Sequence, residues 1–185
     1  MSLVSRVKGI LANPRQEWAV IDDEPLDVAA LLTGYVLPLA AIGPVASALG
    51  WSLFGLGGFL RFSVGYAVAY AITMFILSII GVFVTAWVVN MLAPTFGATQ
   101  SMPQAIKLSA YSMTAAWVAG IFNLIPPLAL LAIVGAIYSL YILYLGLPVM
   151  MKVSQEKAMP YTVVVVLVTI VVYMVAGAIS RAVAF

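Results

Sequence analysis

Four carboxylates fall within six positions near the N-terminus: Asp22, Asp23, Glu24 and Asp27. Clustered carboxylate oxygens are the ligands that hard cations prefer, so this segment is a candidate metal site. It lacks the spacing and the glycine turn of an EF-hand loop. The alternative is a solvated helix start, where the helix dipole favours acidic residues. We favour this second interpretation and expect no bound metal.

A second candidate set consists of polar side chains on two neighbouring apolar segments, namely Lys107, Tyr111, Thr114, Tyr138, Tyr141 and Tyr144. Because a helix rises ~1.5 Å per residue, the two halves of the set reach similar depths on antiparallel helices. A lone hydroxyl in hydrocarbon is costly. The pattern therefore predicts a polar seam, either as structural glue or as a small hydrated pocket beside Lys107 that holds an anionic or polar head group. An interfacial aromatic belt accounts for Tyr35, Tyr66 or Tyr161.

Other chemistry is disfavoured by what the chain lacks. There is no Cys and no His, which excludes disulfides, thiolate metal sites and the commonest general base. The apolar segments hold no Asp or Glu in their middle portions, so neither a proton relay nor a base for Ser or Tyr is expected. Lys and Arg are scattered, which argues against a nucleic-acid partner. We expect neither an enzyme nor a cofactor.

The composition predicts an all-α integral membrane protein. Of its 185 residues, 65% are hydrophobic and only 8% are charged, whereas soluble domains carry about 25% charged residues. We expect a bundle of five transmembrane helices preceded by a short interfacial amphipathic N-terminal helix. Residues 1–25 form the interfacial cytoplasmic segment and residues 26–185 the transmembrane domain. The predicted spans are roughly 26–49, 63–92, 104–124, 128–150 and 161–184.

The N-terminal segment reads as two short amphipathic helices. Leu3, Val7, Ile10 and Leu11 form an apolar stripe at helical spacing, with Arg6 and Lys8 elsewhere around the wheel. Asn13 and Pro14 then begin a second helix that carries Trp18. Apolar residues on one side and basic residues on the other suit the membrane interface. We expect residues 2–21 to lie along the membrane surface.

The first span contains Pro38, which predicts a kink, and residues 50–62 read as a glycine-rich loop. Small residues four positions apart let helix backbones approach closely, within one bundle or in a dimer. We favour packing within one bundle. These pairs are Gly43 with Ser47, Gly65 with Ala69, Gly81 with Thr85, Ala116 with Gly120, and Gly135 with Ser139.

The distribution of basic residues predicts the orientation of the chain. A cytoplasmic N-terminus places six of them on the cytoplasmic side and leaves two outside, Arg61 and Arg181. This asymmetry favours a cytoplasmic N-terminus and an external C-terminus. The six are Arg6, Lys8, Arg15, Lys107, Lys152 and Lys157.

Three stretches together carry a family resemblance: Asn-Pro-Arg-Gln-Glu-Trp at 13–18, Ala-Tyr-Ser-Met-Thr at 110–114, and Tyr-Ser-Leu-Tyr-Ile-Leu-Tyr-Leu-Gly-Leu-Pro at 138–148, followed by Lys152 and by Glu-Lys-Ala at 156–158. Over nearly its whole length the chain resembles the bacterial branch of the Yip-domain (Ypt-interacting protein) family. The resemblance implies five spans, a cytosolic N-terminus and a bacterial inner (cytoplasmic) membrane. Eukaryotic members are trafficking factors that associate with small GTPases and with each other. Their longer cytosolic domain is absent here, so the resemblance gives no basis for a GTPase partner.

The sequence is compatible with two functions. The first is a non-catalytic membrane protein of the Yip-like type that binds other membrane proteins, itself or lipid. The alternative is a small-solute or ion channel or transporter, lined by polar faces of spans two to four and gated by the kinked first span. Selectivity rings of charge are missing from the sequence, so we favour the first function.

Overall fold

The computed structural model of the chain describes residues 2–55 and 63–183, with side chains up to residue 175. Within these residues all regular elements are helical. Two short helices, α1 (Leu3–Ala12) and α2 (Pro14–Asp23), come first. Five longer helical segments are apolar enough to cross a bilayer, which confirms the predicted fold class. These segments, called spans one to five, are Val28–Phe54, Val64–Phe96, Met102–Leu124, Pro126–Met150 and Gln155–Val175.

Span three is the centre of the bundle. More than half of its apolar stretch is buried, at least twice the share in any other span within the described residues. Its helix breaks at Met113. The N–H of Ala116, just beyond the break, donates to the hydroxyl of Ser139 on span four at 2.9 Å. The break is therefore stabilised by a neighbouring span.

Span one is irregular where Pro38 predicted a kink. A π-helical turn covers Leu32–Val36 and ends two residues before Pro38, which has no N–H to donate to the preceding turn. The helix is interrupted again at Ala41 and then continues to Phe54, so part of the predicted glycine-rich loop is helical. Residues 56–62 of that loop, including Arg61, lie outside the described residues.

Glycines bring the backbones of neighbouring spans together. A Cβ atom on Gly120 would lie 2.7 Å from the Cα of Gly43 on span one. A Cβ on Gly135 of span four would lie 2.6 Å from the carbonyl oxygen of Ala115. Gly65 instead faces open space. The first two contacts show small residues packing within one bundle, as we favoured.

Helices α1 and α2 form an N-terminal hairpin that packs against spans one, three and four. Ile10, Trp18 and Ile21 are fully buried. The indole Nε1 of Trp18 donates to the carbonyl of Ile142, and the hydroxyl of Tyr138 donates to the carbonyl of Leu11. The apolar stripe thus faces protein. The position of residues 2–21 relative to a bilayer stays a prediction.

Two of the three tyrosines assigned to an interfacial belt are buried instead. Tyr35 is 5% exposed, and Tyr161 is fully buried with its hydroxyl donating to the carbonyl of Val89. Each hydroxyl has a partner within the bundle, so its burial leaves no unsatisfied group. Tyr66 is half exposed.

Candidate functional site at the hairpin end

Arg6 lies at the end of the bundle where α2 finishes and span one begins, which we call the hairpin end. Its side chain is buried and forms ion pairs with Glu17, at 2.5 Å, and with Glu24. Its guanidinium also lies 5.5 Å from the ring centroid of Tyr111 on span three, within cation–π range. Arg6 therefore ties both helices of the hairpin to span three.

The electrostatics keep Arg6 charged. Burial alone would lower the pKa of Arg6. The hydrogen bond and charge of Glu24, together with Tyr111 and Glu17, outweigh this effect and raise the pKa above its ordinary value. A buried charge is tolerated when it is paired and hydrogen-bonded, as this one is on two sides.

The sequence placed Arg6 away from the apolar stripe, and the structure corrects this. Arg6 lies three residues after Leu3 and four before Ile10, which puts it on the same helix face as both. Gly9 lets Glu17 approach, because a Cβ atom at Gly9 would collide with that carboxylate. The spacing was present in the sequence, but the partner on α2 was not visible.

Lys107 of span three caps the end of α2. Its side chain is buried, and Nζ donates to the carbonyl oxygens of Ile21, at 2.7 Å, Asp22, at 3.2 Å, and Glu24, at 2.7 Å. A cation at a helix C-terminus complements the helix dipole and satisfies carbonyls that have no partner in the helix. All three ammonium donors are therefore engaged in holding the hairpin.

The four acidic residues serve different partners. Asp22 accepts from Gln104 at 2.7 Å and pairs with Lys152, and Glu24 pairs with Arg6. Asp27 caps the first turn of span one through the N–H of Ala30, and Asp23 is exposed. Among the described residues, no three His, Cys, Asp or Glu side chains converge closely enough to hold a metal ion.

A cavity of about 380 Å³ opens between α1 and the start of span one. We call it the hairpin-end cavity. Arg6, Glu24 and Lys107 line its polar side. The rings of Tyr35 and Tyr111 also line it and contact each other edge to face, with 4.7 Å between their centroids. The hydroxyl of Tyr35 is hydrogen-bonded to Thr114 at 2.6 Å. A polar or amphiphilic ligand fits such mixed walls.

The structure divides the six residues of the predicted seam. Lys107 and Tyr111 line the hairpin-end cavity, and Thr114 bonds to Tyr35 there. Tyr138 bonds to Leu11 instead, while Tyr141 and Tyr144 line a groove between spans four and five. The cause is Trp18, which stands edge to face with Tyr111 and bonds to Ile142 of span four. Its indole therefore lies where the two halves of the seam were expected to meet.

Sequence reasoning missed Tyr35, Arg6 and Glu17 as members of this site. A signal existed for Tyr35, which lies three residues before Pro38. The π-helical turn that precedes this proline includes Tyr35, and such turns are frequent at functional sites. No comparable signal linked Glu17 to Arg6, because their contact depends on how the hairpin folds.

Comparison with known proteins identifies the family. The Yip1 domain profile matches residues 8–177. The inner membrane protein YohC of Escherichia coli K12 is 29% identical over 168 residues, which cover 86% of this chain and 85% of that protein. YohC of Escherichia coli O6:H1 matches with the same values. No solved structure matches the chain. The resemblance seen in the sequence is confirmed: the chain belongs to the Yip1 domain family of integral membrane proteins.

Proposed function

We propose that this protein is a non-catalytic integral membrane protein that acts by binding a ligand in the hairpin-end cavity. The supporting observation is that the charged groups around this cavity are engaged in structure. Arg6 is paired with two glutamates, and Lys107 donates to three carbonyls. The charged side chains of Arg6 and Lys107 at this cavity are therefore already engaged in holding the hairpin.

The same pairing argues against catalysis at this site. A general base needs a free lone pair within reach of its proton, and a charged Arg6 has none. The hydroxyl of Tyr111 makes no hydrogen bond to a carboxylate among the described residues, and the sequence has no histidine. The site therefore suits recognition of a ligand better than bond breaking.

The ligand classes that fit are a lipid, another membrane protein or a second copy of this chain. Ala30 and Gly34 lie at the cavity and are exposed on the outer side of span one. A ligand can therefore reach the cavity from beside the bundle. We further propose that the protein resides in a cytoplasmic membrane with the hairpin end on the cytoplasmic side. The Lys and Arg distribution supports this orientation.

Close packing argues against a conduit between the spans of one chain. Gly43 and Gly120 bring the backbones of spans one and three into contact, and Gly135 does the same for spans three and four. A solute pathway needs polar surface and free volume between helices. At these two crossings the backbones occupy that volume.

The test uses cavity-filling variants of the full chain. Ala30→Phe places a ring in the cavity, whereas Ala29→Phe adds the same ring at an exposed neighbour that does not line it. Native mass spectrometry of each protein in mild detergent should show a ligand retained by the wild type and Ala29→Phe and lost from Ala30→Phe. Equal retention by both variants would overturn the proposal. So would solute flux through reconstituted wild-type protein above that of empty liposomes.

A further inference from the structure

We infer that the protein carries an anionic glycerophospholipid site where the tip of the N-terminal hairpin meets spans four and five. In this site Arg15 binds the phosphate, and an acyl chain lies in the groove between the two spans. The site lies apart from the hairpin-end cavity and goes beyond the function proposed for that cavity. It stands on two adjoining cavities and one unpaired charge.

The groove is an apolar cavity of about 590 Å³ on the outside of the bundle. This volume falls within the range of about 300–1,000 Å³ typical of ligand pockets. Leu140 of span four and Met159, Val163 and Leu167 of span five line it, and all four are exposed. The hydroxyl of Thr162, also in the wall, already donates to the carbonyl of Ala158. A hydrocarbon chain is the ligand that such walls accept.

A polar notch of about 340 Å³ adjoins the groove. The turn between α1 and α2 forms one side of it, including Asn13, Arg15 and Gln16, and Tyr138 and Tyr141 form the other. Tyr141 also lines the groove, so the two cavities meet at this residue. A molecule with a polar head and an apolar tail can occupy both cavities at once.

Charge selects the head group. Arg15 is exposed and makes no ion pair with any described residue, in contrast to the buried and doubly paired Arg6. No acidic residue lines the notch. An arginine fork binds phosphate through two parallel hydrogen bonds, and the amides of Asn13 and Gln16 offer further donors beside it. The notch therefore complements an anion.

The apolar surface beside the notch explains why the ligand is a lipid rather than a soluble anion. Tyr141 lies nine residues before Met150, the last residue of span four, so the notch is roughly 13 Å along the helix from the hairpin end. On span five, Glu156 and Lys157 precede the groove, and Met159 is its first apolar residue. The notch thus lies directly beside the apolar surface of spans four and five. A soluble anion uses the notch alone, whereas a lipid with its phosphate in the notch also places an acyl chain in the groove.

The experiment measures lipid retention by the full chain with native mass spectrometry in mixed micelles. The probes are phosphatidylglycerol and phosphatidylethanolamine with identical acyl chains. The head-group variant is Arg15→Gln, and its matched control is Lys8→Gln, another exposed cation on the hairpin that does not line the notch. The groove variant is Val163→Phe, and its control is Val171→Phe, which is exposed on the same helix outside the groove. Helicity measured by circular dichroism checks that each variant is folded.

The wild type should prefer phosphatidylglycerol by about fivefold, the weight of one charge near an anionic head group. Arg15→Gln should remove this preference, and Val163→Phe should reduce retention of both lipids. Both controls should behave as the wild type. The inference is wrong if Arg15→Gln and Lys8→Gln show the same preference for phosphatidylglycerol. That result is expected if the side chain of Arg15 only extends to the membrane surface and binds no specific lipid. It is also wrong if Val163→Phe and Val171→Phe retain the two lipids equally.

The outcomes separate this inference from the proposed function. If Ala30→Phe removes the retained lipid and Arg15→Gln does not, the lipid occupies the hairpin-end cavity. The proposed function then stands and the phospholipid site at the hairpin tip does not. If Arg15→Gln removes the lipid preference and Ala30→Phe leaves the retention of every ligand unchanged, the phospholipid site at the hairpin tip stands. The function proposed for the hairpin-end cavity then does not.

Discussion

The indole of Trp18 donates a hydrogen bond to the main-chain carbonyl of Ile142, 3.1 Å away, in the middle of span four. Gly146 lies one turn further along the same span, and its missing side chain leaves room for the ring. A Cβ atom there would lie 2.5 Å from the indole. The N-terminal hairpin is therefore part of the bundle and not an appendage to it.

Gly146→Ala should destabilise the protein by about 1–3 kcal/mol, because the added methyl overpacks a site where Trp18 is fully buried. Gly65→Ala is the matched control, since a Cβ at Gly65 meets open space. It should be neutral or slightly stabilising, because alanine is the better helix former. Thermal unfolding in detergent measures both variants. Equal melting temperatures would contradict the packing described at Trp18.

Lys107→Met should cost at least about 2 kcal/mol, because three carbonyls at the end of α2 lose a charged donor in a buried setting. Lys152→Met removes an ion pair from a side chain that is 55% exposed and should cost less than about 1 kcal/mol. Limited proteolysis should cut the hairpin faster in Lys107→Met alone. Similar protease sensitivity of the two variants would show that Lys107 does not hold the hairpin.

Arg6→Gln should cost about 3 kcal/mol, since it leaves Glu17 and Glu24 without their partner. The estimate is at the low end for buried pairs because Glu24 is partly exposed. The pKa of Arg6 is raised above its ordinary value. Its contribution to stability is therefore complete below that ordinary pKa and is lost only as pH rises through the higher folded value.

The stability difference between wild type and Arg6→Gln should consequently stay constant from about pH 7 to about pH 10. Chemical unfolding at several pH values measures this difference, with Lys8→Gln as the control at an exposed cation of α1. A difference that shrinks steadily across this range would assign the effect to another titrating group.

The topology predicted from the basic residues can be tested with reporter fusions. Six Lys and Arg residues against two favour a cytoplasmic N-terminus. Reporters fused after residue 125 and at the C-terminus should both be active outside the cytoplasm. Cytoplasmic activity at the C-terminus would reverse the orientation, and the hairpin end would then lie on the external side.

The five spans were predictable because each is a long apolar run, and composition alone required a membrane. The irregularity of span one followed from Pro38, whose missing donor acts locally. Gly43 and Gly135 were recognisable as packing residues from small-residue spacing, although spacing does not name the partner. The features predicted well are therefore those that neighbouring residues determine.

The candidate site was predicted only in part because its contacts join distant residues. Lys107 and Tyr111 line the hairpin-end cavity, but their expected partners on span four were not the ones found. Depth estimates along helices cannot show that an indole from α2 lies between two spans. Lys107 likewise donates to a main-chain carbonyl at the end of α2. Every residue has such a carbonyl, so the sequence pattern could not predict this contact.

The central claim is that a ligand occupies the hairpin-end cavity, and thiol labelling tests it most directly. The chain has no native cysteine, so Ala30→Cys and Ala29→Cys each introduce a single thiol at neighbouring exposed positions, of which only residue 30 lines the cavity. A water-soluble maleimide should label Ala30→Cys more slowly than Ala29→Cys in native membranes. The two rates should converge after extraction into a detergent that strips bound lipid and protein. Equal rates in native membranes would contradict the claim that the cavity is a binding site.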